Sequence, residues 1–237
     1  MNIKVSIIIP CYNEKNSILK IVKKINSLNI SKQIILIDDC SVDGTRSIIN
    51  QKIKNTVNKV ILHEKNQGKG ACIISAKPYI IGDIVIIQDA DLEYNPDDYN
   101  NLIEPIILNK ANVVYGSRVL NKKNYLTKRN FISNFRVFGN FILTKISNII
   151  NNQTLTDAHT CYKVFRKQTF KKINLKENGF NFCPEVTTKL SVLNEKILEV
   201  PISYKGRSID QGKKIRFWHA IEALFTILKY KYFLKND

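Results

Sequence analysis

Five apolar runs punctuate the first half of the chain: VSIIIP (5–10), QIILIDD (33–39), KVILHE (59–64), DIVIIQDA (83–90) and NVVYGS (112–117). Each is rich in Ile and Val, the residues that suit a pleated, buried surface. Helix-like segments lie between them, near 15–29, 43–56, 69–81 and 97–109. Near-continuous apolar strands alternating with helices predict an α/β fold, its largely parallel sheet covered on both faces. The second half is less regular. The pattern predicts a long helix over 131–150, a short strand at 161–166, a helix at 182–195 and a strand at 196–204. A basic loop, 205–216, then leads into a final helix. No repeat, low-complexity tract or linker interrupts the chain, so 1–237 is expected to form one domain.

Ligands on parallel sheets gather at the carboxyl ends of the strands, and polar residues collect at those ends here. The first run ends in Pro10, Cys11, Tyr12, Asn13 and Glu14, and the second in Asp38 and Asp39. The third leads to NQGKGA (66–71), the fourth ends in Asp89-Ala-Asp91 with Glu93 close behind, and the fifth ends in Gly116-Ser117-Arg118. One such group is explained by a cap or turn, as Asp43 is before a helix. Several together point to a binding edge.

Charge divides the chain. Residues 1–116 hold 14 Lys and Arg against 12 Asp and Glu, whereas 117–237 hold 23 against 8. The basic half calls for an anionic partner: phosphates, nucleic acid or a membrane surface. Five cysteines without CxxC spacing favour a reducing compartment and argue against a zinc ribbon. With three scattered histidines, metal chemistry falls to carboxylates. No signal peptide is legible at the start, and the late stretch 217–234 is too polar for a membrane span.

Asp89 and Asp91, at i and i+2 on a strand end, suit a hard divalent cation bound together with a diphosphate. Glu93 can join them. The dinucleotide fingerprint and the P-loop are both missing after the first strand, and NQGKGA alone is a weak signal. A phosphate-bearing partner suits the arginines of the second half.

SIIIPCYNE, IDDCSVDGT, NQGKGA, QDADLEYNP and GSR, in this order, resemble a family 2 glycosyltransferase. TDAHTCYKVFR, GFNFCPEVTTK, VPISY and GKKIRFW are similar to its polyprenyl-phosphate sugar transferases, of the dolichyl-phosphate mannosyltransferase type. The likeness spans 3–218. It implies a GT-A fold, a nucleotide-diphosphate sugar donor of the GDP-mannose or UDP-glucose type, Mg²⁺ or Mn²⁺, and inversion at the anomeric carbon.

By position, the resemblance assigns Pro10, Tyr12 and Glu14 to the base and ribose pocket, with Asp39 on the nucleoside and Asp38 assisting. Gly68, Lys69 and Gly70 border the donor. Asp89 and Asp91 form the DxD pair, and Glu93 stands where the family often has Gln. Arg118, Arg129 or Arg136, and Arg207 match the arginines that grip a lipid phosphate, and Asp157 matches an acid near the acceptor. Residues 1–116 then form the donor and metal half, and 117–237 the acceptor half.

The expected activity is transfer of a hexose to a polyprenyl phosphate at the cytoplasmic face of a membrane, with no nucleic acid involved. If the acceptor is instead a glycan hydroxyl, Asp157 or Glu185 is the base to expect. A non-catalytic basic protein binding membrane or nucleic acid is the third reading. Trp218, Ile221, Phe225, Leu228 and Tyr232 form an apolar stripe on the final helix. It suits either an anionic membrane surface or the protein's own core.

Overall fold

The chain is described from a computed structural model, over residues 3–120, 131–206 and 218–233, with side chains for all of these but 131–138 and 218–219. Seven strands form one sheet: β1 (Val5–Cys11), β2 (Lys32–Asp38), β3 (Lys59–Leu62), β4 (Ile84–Ile87), β5 (Val113–Ser117), β6 (Lys163–Arg166) and β7 (Ile197–Pro201). Their order is β3-β2-β1-β4-β6-β5-β7. The five runs read from the sequence are all strands, and β1 is parallel to both β2 and β4. Every residue of β1 and β4 is buried, which explains why these segments read as unbroken apolar runs.

The second half breaks the parallel rule. Strand β6 enters between β4 and β5 and runs antiparallel to both, with Val164 opposite Ile86 on one side and Val114 on the other. The residues just before β6 therefore lie at the same edge as the carboxyl ends of β4 and β5.

The helices are α1 (Ile18–Ser27), α2 (Thr45–Ile48), α3 (Lys69–Ala76), α4 (Tyr99–Ile107), α5 (Phe131–Asn151), α6 (Lys167–Lys172), α7 (Phe182–Val192) and α8 (Trp218–Leu228). Ile18, Ile21, Val22 and Ile25 give α1 one buried face at the i, i+3, i+4, i+7 spacing. The helix expected over 43–56 is composite: α2 continues through a π-helical turn, Ile49–Ile53, and a 3-10 turn, Lys54–Thr56. The short α6 follows β6 directly and is absent from the sequence reading.

The final helix, α8, continues through a π-helical turn, Lys229–Phe233, and packs on α5 and α7. Ala223, Thr226, Ile227 and Tyr230 are the buried residues there, whereas Phe225, Tyr232 and Phe233 are exposed. Of the stripe read from helical spacing, Phe225 and Tyr232 therefore point away from the core. Among the described residues, no helix is long and apolar enough to cross a membrane.

Candidate active site

The sheet order reverses between β1 and β4, the kind of point where open α/β sheets bind ligands. Three loops there contain a non-glycine residue in the left-handed region: Asn13 after β1, Cys40 after β2 and Leu92 after β4. For a leucine such a backbone is costly and is held by its surroundings. Leu92 sits between Asp91 and Glu93.

The first two loops are stitched together. Asn13 N–H donates to Ser41 Oγ at 2.9 Å and Glu14 N–H to Thr45 Oγ1 at 2.8 Å. The Asp43 carboxylate accepts from Thr45 N–H at 3.0 Å and from Lys15 N–H at 3.2 Å. Burial pushes the Asp43 carboxyl up, but the Thr45 hydroxyl, which also donates to it, and these amides hold it below the usual range. Pro10 is buried within β1, Tyr12 is exposed and Glu14 is half-buried.

Asp39 organises the glycine-rich loop. One carboxylate oxygen accepts from Gly68 N–H at 2.7 Å, and the other from Gln67 N–H at 3.0 Å. The second oxygen also lies 2.7 Å from His63 Nδ1, whose Nε2 reaches Ser75 Oγ at 2.9 Å. Asp39, His63 and Cys72 are the one group of three potential ligands that converge among the described residues. A separation of 2.7 Å between the Asp39 and His63 atoms is that of a hydrogen bond, so this cluster is a hydrogen-bonded support for the loop. Asp38 is likewise buried. One of its oxygens accepts from Arg46 Nε at 2.6 Å, and Oδ1 has no partner among the described residues.

The loop is pressed against another backbone. A Cβ on Gly70 would fall 1.9 Å from the Glu177 carbonyl oxygen, and one on Gly68 would fall 2.5 Å from that of Asn178. Ala71 N–H donates to the same Asn178 oxygen at 3.0 Å. Glycine is required here for close approach, and the contact aims Lys69 at the sheet edge.

There Lys69 Nζ donates to Asp89 Oδ1 at 2.5 Å and to Cys161 Sγ at 3.1 Å. Burial opposes the charge on Lys69, but Asp89 outweighs it and keeps the ammonium protonated. Asp91 Oδ1 accepts from Glu93 N–H at 3.0 Å, closing the turn. Glu93 points elsewhere: its Oε2 accepts from Tyr204 OH at 2.6 Å, and it does not converge with Asp89 and Asp91 into a three-ligand group. Two hard carboxylates at a strand end fit Mg²⁺ or Mn²⁺ as ligands shared with a diphosphate.

The antiparallel entry of β6 completes the site. Arg118 clasps Asp157 with two parallel hydrogen bonds, Nε to Oδ2 and Nη2 to Oδ1, both 2.7 Å. Arg118 N–H and Asn140 Nδ2 add bonds of 3.2 and 3.3 Å to the same carboxylate. Burial pushes the Asp157 carboxyl up, but the Arg118 charge and these bonds hold it below the usual carboxylate range. Close by, burial and the Lys163 charge depress the His159 imidazole to about 4. Lys163 is itself fully buried and is lowered by that burial to about 8, with its ammonium on the Ala158 carbonyl and over the Tyr115 ring.

Glu185 is also committed. Its oxygens accept from Lys176 N–H at 2.7 Å and Glu177 N–H at 3.0 Å, and Lys189 Nζ lies 3.0 Å away. Of the arginines matched to the lipid phosphate, Arg118 is at the site. Arg129, Arg207 and the side chain of Arg136 lie outside the described residues. The pairings Lys69–Asp89 and Tyr204–Glu93 were missed by sequence reasoning, because each joins segments that no local pattern relates.

Known proteins resemble the chain in sequence and in fold. The chain is 32% identical to the UDP-N-acetylglucosamine–dolichyl-phosphate N-acetylglucosaminyltransferase of Methanococcus voltae, over 94% of this chain and 95% of that one. It is 27% identical to the dolichol-phosphate mannosyltransferase of Pyrococcus furiosus, over 96% of this chain but 64% of that longer one. The solved glucosyl-3-phosphoglycerate synthase of M. tuberculosis, 14% identical, superposes with a TM-score of 0.72 over 97% of this chain and 81% of that one. That enzyme has also been solved with Mn²⁺, UDP and glucosyl-3-phosphoglycerate. The fold is thus the expected GT-A fold. With residues 6–174 matching the model of glycosyl transferase family 2, the chain belongs to that family.

Proposed function

We propose that this chain transfers a sugar from a nucleotide-diphosphate donor to a polyprenyl phosphate, with inversion at the anomeric carbon. The observation that carries the choice of acceptor is the state of the two acids available as a base. Asp157 is clasped by Arg118 through both oxygens, and Glu185 by two backbone amides and Lys189. A hydroxyl acceptor needs a base to take its proton. A phosphate monoester, with a second pKa of about 6, is already anionic near neutral pH.

In this reading residues 1–116 hold the donor and residues 117–237 the acceptor, within one domain. Tyr12 and Glu14 border the nucleoside, Asp38 offers its unpaired oxygen on that side, and Asp39 acts through the loop it fixes. Asp89 and Asp91 would hold Mg²⁺ or Mn²⁺, with Glu93 closing the turn through Tyr204. The bound cation would supply a Lewis acid for the charge that develops on the leaving diphosphate. Arg118, oriented by Asp157, would offer its remaining N–H groups to the acceptor phosphate, with Arg129 or Arg136 and Arg207 as further donors. An acceptor phosphate oxygen then forms the new bond to the anomeric carbon as the bond to the nucleoside diphosphate breaks. The exposed Phe225, Tyr232 and Phe233, beside Lys229 and Lys231, would rest on the cytoplasmic face of a membrane, where the acceptor resides.

The curated relatives use different sugars, so the test leaves the donor open. Purified protein with Mn²⁺ or Mg²⁺ is offered labelled GDP-mannose, UDP-glucose and UDP-N-acetylglucosamine, with and without a short polyprenyl phosphate. Asp91→Ala serves as the control. Metal-dependent label in the lipid phase, absent from the control, is the expected result and names the donor. Label on a glycan hydroxyl and none on the lipid phosphate would overturn the acceptor assignment.

A further inference from the structure

The DxD turn is built with a cation already on it. Lys69 Nζ lies 2.5 Å from Asp89 Oδ1, and both side chains are largely withdrawn from solvent. The lysine is aimed there by its loop, since the Asp39 carboxylate holds Gln67 and Gly68 N–H and the backbone of 177–178 packs on Gly68 and Gly70. The second acceptor of its ammonium is the thiol Cys161 Sγ, a weak one.

We infer that Lys69 makes the metal site conditional on the donor: it occupies Asp89 until an incoming diphosphate draws it away and frees that carboxylate for the divalent cation. This rests on the reading of Asp89 and Asp91 as the metal–diphosphate site. The physical argument is one of charge. A divalent cation arriving alone meets a carboxylate already neutralised at contact distance, together with an ammonium that repels it. A diphosphate reverses both terms. Its oxygens replace Asp89 as partners of Lys69, and its negative charge joins the two carboxylates in attracting the metal. Lys69 is a compact point charge on a flexible stem and can change partners over a few ångströms while its backbone stays fixed. Metal and nucleoside diphosphate therefore bind as a linked pair, and each raises the affinity of the other by the same factor.

The test is Mn²⁺ binding to the full chain, read by electron paramagnetic resonance of the free ion, alone and with saturating UDP or GDP. The wild type is expected to bind Mn²⁺ weakly alone and about tenfold or more tightly with one of the nucleotides, within the usual range of coupling between linked sites. Lys69→Met is expected to bind Mn²⁺ alone about tenfold more tightly than the wild type and to lose most of the nucleotide-dependent gain. Lys69→Gln, neutral but able to hydrogen-bond, gives a second reading if methionine disturbs the loop, and a thermal melt establishes that each variant is folded. Neutral variants that bind Mn²⁺ alone no more tightly, or that keep the whole nucleotide-dependent gain, overturn the role of Lys69 and leave the transferase reading standing. A wild type that binds Mn²⁺ under neither condition, or whose binding is untouched by Asp91→Ala, overturns the metal–diphosphate reading itself.

Discussion

Arg118 and Asp157 face each other across the seam between β5 and the segment entering β6, joined by two parallel 2.7 Å hydrogen bonds although 39 positions apart. Asp157 is fully buried, so its removal leaves the largely buried Arg118 guanidinium without its carboxylate. Breaking such a pair from one side costs about 3–5 kcal/mol. Asp157→Ala is therefore expected to lower the thermal midpoint by about 10 °C, at about 2–4 °C per kcal/mol for a domain of this size. Because Asp157 titrates lower folded than unfolded, its stabilisation is complete above the ordinary carboxylate pKa of about 3.9. It is lost as pH falls through the folded value. Acid unfolding monitored by circular dichroism is expected to be less steep below about pH 4 in Asp157→Asn than in the wild type. The acid limb of the transfer rate should follow the acceptor phosphate, near pH 6 or somewhat below, and should survive in that variant.

The glycine-rich loop makes a steric prediction. Gly70 lies within a helix and needs no unusual backbone angle, so only space forbids a side chain there. Gly70→Ala places a methyl group 1.9 Å from a carbonyl oxygen, and the loop must move off the 177–178 backbone. Overpacking of this kind costs about 1–3 kcal/mol. The expected outcome is a lower melting temperature together with weaker binding of the nucleoside diphosphate, measured by calorimetry, because Lys69 moves with its neighbour. Gly179→Ala, with no atom near its Cβ, is the control and is expected to change neither.

These examples separate what was legible in the sequence from what was not. Asp89 and Asp91 stand out because carboxylates at the end of an apolar strand have no role in its burial, and a parallel sheet puts such ends together. Four of the five strands of the first half were legible for the same reason: β1, β2, β4 and β5 are buried almost throughout, whereas β3, at the sheet's edge, is only partly covered and was legible from its Val and Ile alone. The antiparallel entry of β6 was not. Its apolar residues Val164 and Phe165 pack equally well with strands of either direction, and nothing local records that it separates β4 from β5. Yet that insertion brings Asp157 to Arg118 and Cys161 to Lys69. Helical spacing left the two readings of α8 open for a related reason. It found the stripe through Phe225 and Tyr232, but it carries no information on which of two apolar stripes the rest of the chain covers.

Lys163 offers a test at alkaline pH. Its ammonium is fully buried, with a carbonyl and an aromatic face for partners, and burial lowers it to about 8. Between that value and the unfolded value of about 10.4, the unfolded chain binds the extra proton and the folded chain does not. Stability at this residue therefore rises with pH across that window. Many other lysines titrate there too, so the useful quantity is the difference between wild type and Lys163→Met in urea unfolding at pH 7.5 and pH 10. The wild type is expected to gain on the variant as pH rises, by about 1–3 kcal/mol. A constant difference would mean that the buried ammonium is fully compensated in the folded chain.

The outer face of α8 and its π-helical turn is separable from the fold. The helix is fastened from within by Ile227 and by Tyr230, whose OH donates to Glu177 at 2.8 Å, with Lys229 on the same carboxylate. Phe225 and Phe233, 70% and 81% exposed, take no part in that fastening. Serine at both positions should therefore leave the melting temperature nearly unchanged, as surface substitutions do. If the face meets lipid, each phenylalanine contributes up to about 1.5–3 kcal/mol on burial, and the double variant loses at least about tenfold in partitioning to anionic phospholipid vesicles. Flotation of both proteins with anionic and zwitterionic vesicles, at low and high salt, measures this. The wild type is expected to prefer anionic vesicles and to detach as salt rises, since part of its attraction is electrostatic. Transfer to a short, water-soluble acceptor should be equal in the two proteins, while transfer to a long acceptor held in vesicles falls in the variant. Equal partitioning of both proteins would instead mean that the two rings face water and that the membrane contact lies elsewhere.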